Sequence, residues 1–326
     1  MTKVLVTGGA GYVGCVLCEM LVERGHEVTV VDTMYFGDAG LAKVKKEARI
    51  VKDDIRNDMG GLLQGQEAVL HLASISNDPS SDLNPELTRQ VNYDAVVRLV
   101  KAAKKAGVER FVNVSTSSVY GVKEAPNVTE DLPLEPLTVY SKTKAEAERA
   151  VHAENSPEFC AFSIRPATVC GWSPRMRLDL TVNILTMHAL LNRRIRVFGG
   201  AQKRPNIHIW DICDYYERLL KAPASKLGGQ AFNAGYENHT VMEIAEMVRA
   251  EVGEDVAIAT EPTNDPRSYH ISSEKIKRVL GYEPRKTIRD AIREVAGAFR
   301  DGRIKNPEDV NYYNVKKMKK LGADGL

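Results

Sequence analysis

Apolar residues in the first half of the chain follow two alternating patterns. Short β-branched runs, typical of buried strands, occupy residues 3–7, 27–31, 49–52, 68–72, 110–115 and 159–164. Between most of them lie stretches with an apolar residue every three or four positions, the clearest at 13–24, 85–106 and 140–155. Strands separated by helices are typical of a parallel sheet covered on both faces. We therefore predict an α/β fold with a doubly wound parallel sheet.

The pattern changes after Gly171. Residues 172–179 are irregular and mixed in charge, and the helices and strands that follow are shorter. They are predicted as helices at 180–191, 211–221, 240–252 and 287–300, with strands at 196–198 and 206–209. We expect one domain over residues 1–171, rejoined by parts of 206–233, and a smaller C-terminal lobe over 172–326.

Composition excludes several classes of partner. The 45 basic and 43 acidic residues nearly cancel and aromatics make up 6%, so we expect binding neither to nucleic acid nor to a membrane surface. No apolar run approaches the roughly 20 residues of a membrane span, and Met1 leads directly into the first strand. The five cysteines lack a disulfide-framework spacing, and the one Cys-x-x-Cys pair, Cys15 and Cys18, lies in an apolar helical stretch without a second pair or a nearby His ligand. These features predict a cytoplasmic protein without a metal site.

The first predicted strand leads into a glycine-rich turn and then a helix. Gly8, Gly11 and Gly14 give a Gly-x-x-Gly-x-x-Gly spacing, which suits a tight turn, close approach of the backbone to a pyrophosphate, and close helix–strand packing. Asp32 ends the second strand, where a carboxylate accepts hydrogen bonds from ribose hydroxyls and repels a 2′-phosphate. The sequence therefore predicts a Rossmann-type domain that binds NAD rather than NADP.

A tyrosine and a lysine share one face at the start of a predicted helix. Tyr140 and Lys144 lie four residues apart, and a nearby ammonium favours the phenolate that a tyrosine needs to act as a base. Three other pairs have this spacing, at Tyr282, Tyr312 and Tyr313. The first contains Pro284, and we expect the other two to lie in a tail beyond the last packed element. Tyr140 is selected because it follows Thr116 at the carboxyl end of a central strand.

At these residues the sequence resembles the extended short-chain dehydrogenase/reductase family, in its NAD-dependent epimerase/dehydratase branch acting on nucleotide sugars. The resemblance runs from the first strand to about Arg300. It implies that Thr116, Tyr140 and Lys144 are catalytic, and that the lobe over 172–326 mainly binds substrate. The residues implied to bind NAD are Gly8, Gly11, Tyr12, Val13, Gly14, Asp32, Asp54, Ile55, Leu72, Ala73, Ser74, Asn92, Val114, Tyr140, Lys144 and Pro166. Those implied to bind a nucleotide sugar are Ser76, Thr116, Ser117, Thr168, Asn183, Arg204 and Arg267.

The residues after Thr116 discriminate between reactions of this branch. A dehydratase carries an Asp-Glu pair there to eliminate water, whereas this chain has Ser117 and Ser118, which cannot act as acid and base near neutrality. We therefore predict a nucleotide-sugar epimerase that acts through a transient keto sugar. A nucleotide-sugar dehydrogenase or ketoreductase is the alternative, and a noncatalytic NAD-binding module is the third. The resemblance also implies a homodimer joined through helices 85–106 and 140–155.

Overall fold

The computed structural model describes residues 1–123, 125, 127–263 and 270–323. Its strands form one large sheet and two small ones. The strands are β1 (Lys3–Thr7), β2 (Glu27–Asp32), β3 (Arg49–Lys52), β4 (Ala68–His71), β5 (Arg110–Val114), β6 (Cys160–Pro166), β7 (Thr168–Cys170), β8 (Arg194–Phe198), β9 (Lys203–His208), β10 (Ala231–Ala234), β11 (Glu237–Thr240) and β12 (Ala257–Glu261).

The large sheet has seven parallel strands in the order β10-β6-β5-β4-β1-β2-β3. The chain runs outward from β1 to β3 and then returns to the other side of β1 to form β4. This reversal opens a crevice beyond the carboxyl ends of β1 and β4, the position where such sheets bind ligands. The predicted doubly wound parallel sheet is confirmed.

Successive strand residues point to opposite sides of this sheet, so its apolar side chains need cover on both faces, and helices provide it. Val4 and Val6 pack into a core that includes residues of the first and eighth helices, whereas Leu5 packs into the core on the other face. In the described residues, no helix has the length and apolar character to span a bilayer. The helices are α1 (Tyr12–Glu23), α2 (Gly60–Leu63), α3 (Asp78–Ser81), α4 (Pro85–Arg89), α5 (Ala95–Lys105), α6 (Val139–Ala153), α7 (Thr181–Asn192), α8 (Ile209–Lys221), α9 (Val241–Val252), α10 (Glu274–Leu280), α11 (Ile288–Arg300) and α12 (Asn314–Ala323).

The stretch predicted as a helix over 85–106 is helical from Pro85 to Lys105, but its α-helical hydrogen bonding is interrupted. A π-helical turn, Gln90–Asp94, separates α4 from α5. Asn92 lies in this turn and is fully buried. Its side-chain amide accepts from the Ile75 nitrogen at 2.9 Å and donates to the Ile75 oxygen at 3.0 Å. These two bonds link the wide turn to the loop after β4, as is common where π turns occur at functional sites.

The second half of the chain contributes to both layers of the molecule. β7, β9 and β11 form a small sheet, and β8 pairs with β12. A separate apolar core joins α7, α9 and α11. β10 nevertheless adds to the edge of the large sheet beside β6, and α8 packs against α1. The division into a domain over 1–171, rejoined by parts of 206–233, and a lobe over 172–326 stays our proposal.

A buried ion pair joins α6 to the large sheet. Arg165 on β6 donates to both carboxylate oxygens of Glu148 on α6, at 2.7 to 3.2 Å, and both residues are at most 5% exposed. Arg165 also donates to the Tyr120 hydroxyl at 2.7 Å, which in turn donates to Asn233 on β10 at 2.7 Å. A charge this deeply buried is tolerated because the guanidinium meets a bidentate carboxylate and a hydroxyl.

Replacing Glu148 therefore tests this network. Glu148→Gln should lower the free energy of unfolding by about 3 kcal/mol, because it leaves the Arg165 guanidinium buried without its counter-charge. Glu146→Gln on the same helix is the matched control, since Glu146 pairs with Arg89 in partly exposed positions and should cost less than about 1 kcal/mol. Urea denaturation measures both values. Equal losses in the two variants would contradict the assigned role of the buried pair.

Candidate functional site

The glycine-rich turn after β1 has little room for side chains at Gly8 and Gly14, two of the three glycines in the Gly-x-x-Gly-x-x-Gly spacing. Gly8 has φ +74°, and a Cβ there would lie 2.7 Å from the Ala73 nitrogen. A Cβ on Gly14 would lie 2.2 Å from the Gly8 oxygen, so this glycine lets α1 pack on the turn. At Gly11 the nearest atom would be the Gly8 oxygen, at 3.1 Å, with no other described atom within 4 Å. The open side of the turn is therefore at Gly11.

The start of α1 suits an anion. Its N-cap, Gly11, offers no side-chain hydrogen bond, and no acidic residue lies in the first turn. Helix N-termini of this kind bind phosphate groups through their backbone N–H groups and the helix dipole. Tyr12 and Val13, both implied to bind NAD, are the first two residues of this helix.

Asp32 fixes the edge of this turn. Its carboxylate accepts from the Ala10 nitrogen at 3.0 Å and from the Met34 nitrogen at 2.8 Å. Burial raises the pKa of Asp32, and the two backbone N–H groups act in the opposite direction. The carboxylate thus stands at the end of β2 beside the glycine turn, where an adenosine ribose would lie. The glycine cradle, the uncapped helix and this acceptor together fit NAD, which Gly8, Gly11, Gly14 and Asp32 would hold.

The other residues implied to bind NAD surround the carboxyl ends of the strands. Leu72, Ala73 and Ser74 follow β4, Val114 ends β5 and Pro166 ends β6. Beyond β3, Ile55 is buried, and the Asp54 carboxylate accepts from Arg56 at 2.8 Å. Both ends of the Asn92 amide are bonded to Ile75, so Asn92 positions the loop after β4.

The three residues implied to be catalytic come from two neighbouring elements. Thr116 caps the 3₁₀ turn Ser117–Tyr120, where its hydroxyl accepts from the Ser118 nitrogen at 3.2 Å. This turn packs against α6. Tyr140 is the second residue of α6, which begins with a capping box between Thr138 and Ser141. The capping box fixes where the helix begins, and therefore which residues face the 3₁₀ turn Ser117–Tyr120.

Lys144 is a buried cation one helical turn after Tyr140. It is 3% exposed, and its Nζ donates to the Val114 oxygen at 2.8 Å. Burial lowers the pKa of Lys144 to about 8, with the Glu148 carboxylate acting in the opposite direction. The hydrogen bond to β5 directs the ammonium toward the carboxyl end of the sheet, so it can stabilise a phenolate there.

The residues implied to bind the sugar nucleotide lie in several separate loops, turns and strands. The Ser76 hydroxyl accepts from Asn314 at 3.0 Å, Ser117 is buried at the start of the 3₁₀ turn Ser117–Tyr120, and Thr168 begins β7. Arg204 is half-buried on β9, where its Nη1 donates to the Lys203 oxygen at 3.2 Å. Arg267 lies outside the described residues.

The side-chain amide of Asn183 on α7 forms hydrogen bonds within the protein through both its nitrogen and its oxygen. Its Nδ2 donates to the Tyr12 hydroxyl at 3.2 Å and to the Arg177 oxygen at 2.9 Å, while its Oδ1 accepts from the Gly171 nitrogen at 3.1 Å. In this structure Asn183 therefore holds the loop from Gly171 to Asp179, called here the 171–179 loop, against α1. Its predicted contact with a substrate diphosphate stays a prediction.

The C-terminal tail reaches this site, so the expectation that it lies beyond the last packed element is wrong. Asn314 is 5% exposed. It connects the loop after β4 to the 171–179 loop, since it donates to Ser76 and also accepts from Arg175 at 2.8 Å and donates to Asp179 at 2.9 Å. The contact with Ser76 spans 238 positions of the chain, and no local pattern around Asn314 signals it.

Comparison with known proteins agrees with this geometry. A model of the NAD dependent epimerase/dehydratase family matches residues 4–235, and the chain belongs to this family. The UDP-glucose 4-epimerases of Corynebacterium glutamicum and Mycolicibacterium smegmatis are each 30% identical to it, over 320 and 312 residues. These alignments cover 91% and 92% of this chain and 95% and 99% of the two relatives.

A solved structure shows the same fold. The crystal structure of UDP-glucuronic acid 4-epimerase from Bacillus cereus, in complex with UDP-glucuronic acid and NAD, matches with a TM-score of 0.82 and 26% identity. The match covers 92% of this chain and 99% of that chain. The predictions of the family, the fold and an enzyme with NAD as cofactor are confirmed. The individual site residues stay predictions.

Substitutions in the glycine turn separate effects on NAD affinity from effects on stability. Gly11→Ala should leave stability nearly unchanged but weaken NAD binding about tenfold or more, because the methyl group points toward the open side of the turn. Gly14→Ala should instead lower stability by about 1–3 kcal/mol, since its Cβ meets the Gly8 oxygen. Urea denaturation and NAD titration calorimetry give both quantities. The assignment of the open side fails if Gly11→Ala binds NAD as tightly as the wild type.

Proposed function

We propose that this protein is an NAD-dependent nucleotide-sugar epimerase in which Tyr140 is the acid and base. The observation that carries the proposal is the position of Lys144, buried beneath the carboxyl end of β5 one helical turn after Tyr140. A lysine is seldom buried without a carboxylate partner. Its charge has a function here if a hydroxyl beside it must ionise during the reaction.

The chain's own residues move the proton. The Tyr140 phenolate, stabilised by the Lys144 ammonium, would take the proton of the sugar hydroxyl and, as the hydroxyl, later return it. Thr116 would hydrogen-bond the same sugar oxygen. Bound NAD supplies the acceptor and then the donor of the hydride. The sugar would turn over between the two transfers, so that the hydride returns to its opposite face.

Two serines favour epimerisation over dehydration. Ser117 and Ser118 follow Thr116, and the Ser118 nitrogen is bonded back to the Thr116 hydroxyl. Neither hydroxyl is a useful general acid near neutrality, so elimination of water has no acid at these positions. The names of the Corynebacterium, Mycolicibacterium and Bacillus relatives, all 4-epimerases, support the same choice and point to C4 of a UDP-sugar.

The nucleotide sugar would contact a further set of polar and charged side chains, namely Ser76, Ser117, Thr168, Asn183, Arg204 and Arg267. A homodimer through α4, α5 and α6 is proposed from the family resemblance. A cytoplasmic location agrees with five cysteines that are all buried free thiols.

The activity is tested with UDP-glucose, UDP-galactose, UDP-glucuronic acid and dTDP-glucose. The wild type should convert one of these to its C4 epimer without net NADH. Tyr140→Phe should lower the rate by about 10²–10⁴-fold and leave NAD affinity nearly unchanged, because the ring and helix remain. Tyr313→Phe is the matched control, since Tyr313 has the same spacing to a lysine, and it should retain activity.

Nucleotide-sugar NMR, absorbance of NADH and NAD calorimetry provide the measurements. Release of a keto sugar with equal NADH would favour the dehydrogenase or ketoreductase alternative. NAD binding without conversion of any of the sugars would favour the noncatalytic module. A large loss of NAD affinity in Tyr140→Phe would contradict the role given to Tyr140.

A further inference from the structure

Arg175 is a deeply buried cation near the start of α1. It lies in the 171–179 loop and is 7% exposed. Its Nη2 donates to the Asn314 oxygen at 2.8 Å, whereas its Nε is buried and has no hydrogen-bond partner among the residues that the structure describes. Within the described residues it forms no ion pair, since the neighbouring Asp179 carboxylate accepts from Arg177 instead. Burial, together with the charge of Arg177, lowers the pKa of Arg175, and the Asp179 and Asp32 carboxylates act in the opposite direction.

Such an arginine is costly to bury. The other deeply buried arginine of the site, Arg165, has a bidentate carboxylate and a hydroxyl. Arg175 has one neutral amide oxygen and an aromatic ring, with its Cζ 3.6 Å from the centroid of Phe36. Cation–π contact and one neutral hydrogen bond offset part of the desolvation cost. The N–H groups of this guanidinium that are not bonded to Asn314 suit an anion supplied by a ligand.

The elements around Arg175 indicate which anion would bind there. Its backbone lies beside the Cys15 side chain in the first turn of α1. The guanidinium lies between Phe36, in the loop after β2, and Asn314, which is bonded to Ser76 in the loop after β4. In a doubly wound sheet the adenosine half of a dinucleotide lies toward β2 and the nicotinamide half toward β4, with the pyrophosphate at the start of α1.

We propose that Arg175 binds the pyrophosphate of NAD from the side opposite the glycine turn. Its planar fork can donate to two phosphate oxygens while Phe36 supports the other face of the guanidinium. The 171–179 loop is already attached to α1, because the Tyr12 hydroxyl donates to the Gly171 oxygen at 2.6 Å and Ser173 donates to the Tyr12 oxygen at 2.7 Å. The inference rests on NAD binding in this cleft and is independent of the epimerase reaction.

The test uses NAD-free protein, titrated calorimetrically with NAD, adenosine and UDP. Arg175→Met should weaken NAD binding roughly 10- to 100-fold, and leave the affinities for adenosine and UDP nearly unchanged. Its melting temperature without NAD should equal or exceed that of the wild type, because an uncompensated charge is removed. Arg175→Lys should bind NAD with intermediate affinity, since it keeps the charge but loses the fork.

Arg218→Met is the matched control. Arg218 also stacks on an aromatic ring, with its Cζ 3.9 Å from the Tyr282 centroid, but it pairs with Asp214 at 2.7 Å. This variant should melt at a lower temperature and bind NAD normally. The proposal is overturned if Arg175→Met binds NAD like the wild type, loses adenosine or UDP binding to the same extent, or melts at a lower temperature as Arg218→Met does.

Discussion

The ion pair between Arg165 and Glu148 is the interaction on which the geometry of the site depends. Glu148 lies on α6, one turn beyond Lys144, and Arg165 directly precedes Pro166 at the end of β6. Through the Tyr120 hydroxyl the same guanidinium reaches the 3₁₀ turn that begins after Thr116. The elements that carry the proposed acid, its lysine and its hydroxyl partner are thus held together by one buried charge pair, which supports their precise placement.

Two other buried cations form no ion pair in the part of the chain that the structure describes. Lys144 has the Val114 oxygen and Arg175 has the Asn314 oxygen, both neutral. Burial lowers the pKa of both side chains, so each charge is incompletely compensated in the protein alone. We relate the Lys144 charge to a phenolate at Tyr140 and the Arg175 charge to the NAD pyrophosphate. On this account the contrast with Arg165 separates a structural charge from functional ones.

The sequence predicts the part of the site that local patterns encode. The glycine spacing, Asp32 at a strand end, and the Tyr140–Lys144 spacing are each readable over a few residues, and the sheet follows from alternating strands and helices. Asn314 and Arg175 are not readable in this way, because their positions depend on contacts with segments far along the chain. The π turn at Asn92 is not readable either, since the apolar period on both sides is that of one helix. At Asn183 an amide that the resemblance assigns to substrate is bonded internally, a distinction that needs coordinates.

The most direct test of the central claim is the fate of the hydrogen at the reacting carbon. A UDP-hexose deuterated at C4 is incubated with the enzyme and NAD in ordinary water, and the epimer is examined by NMR. The account predicts an inverted product that keeps its deuterium at C4, because the same hydride leaves and returns without exchange with solvent. Loss of deuterium to water, or its accumulation in free NADH beside a keto sugar, would contradict the account.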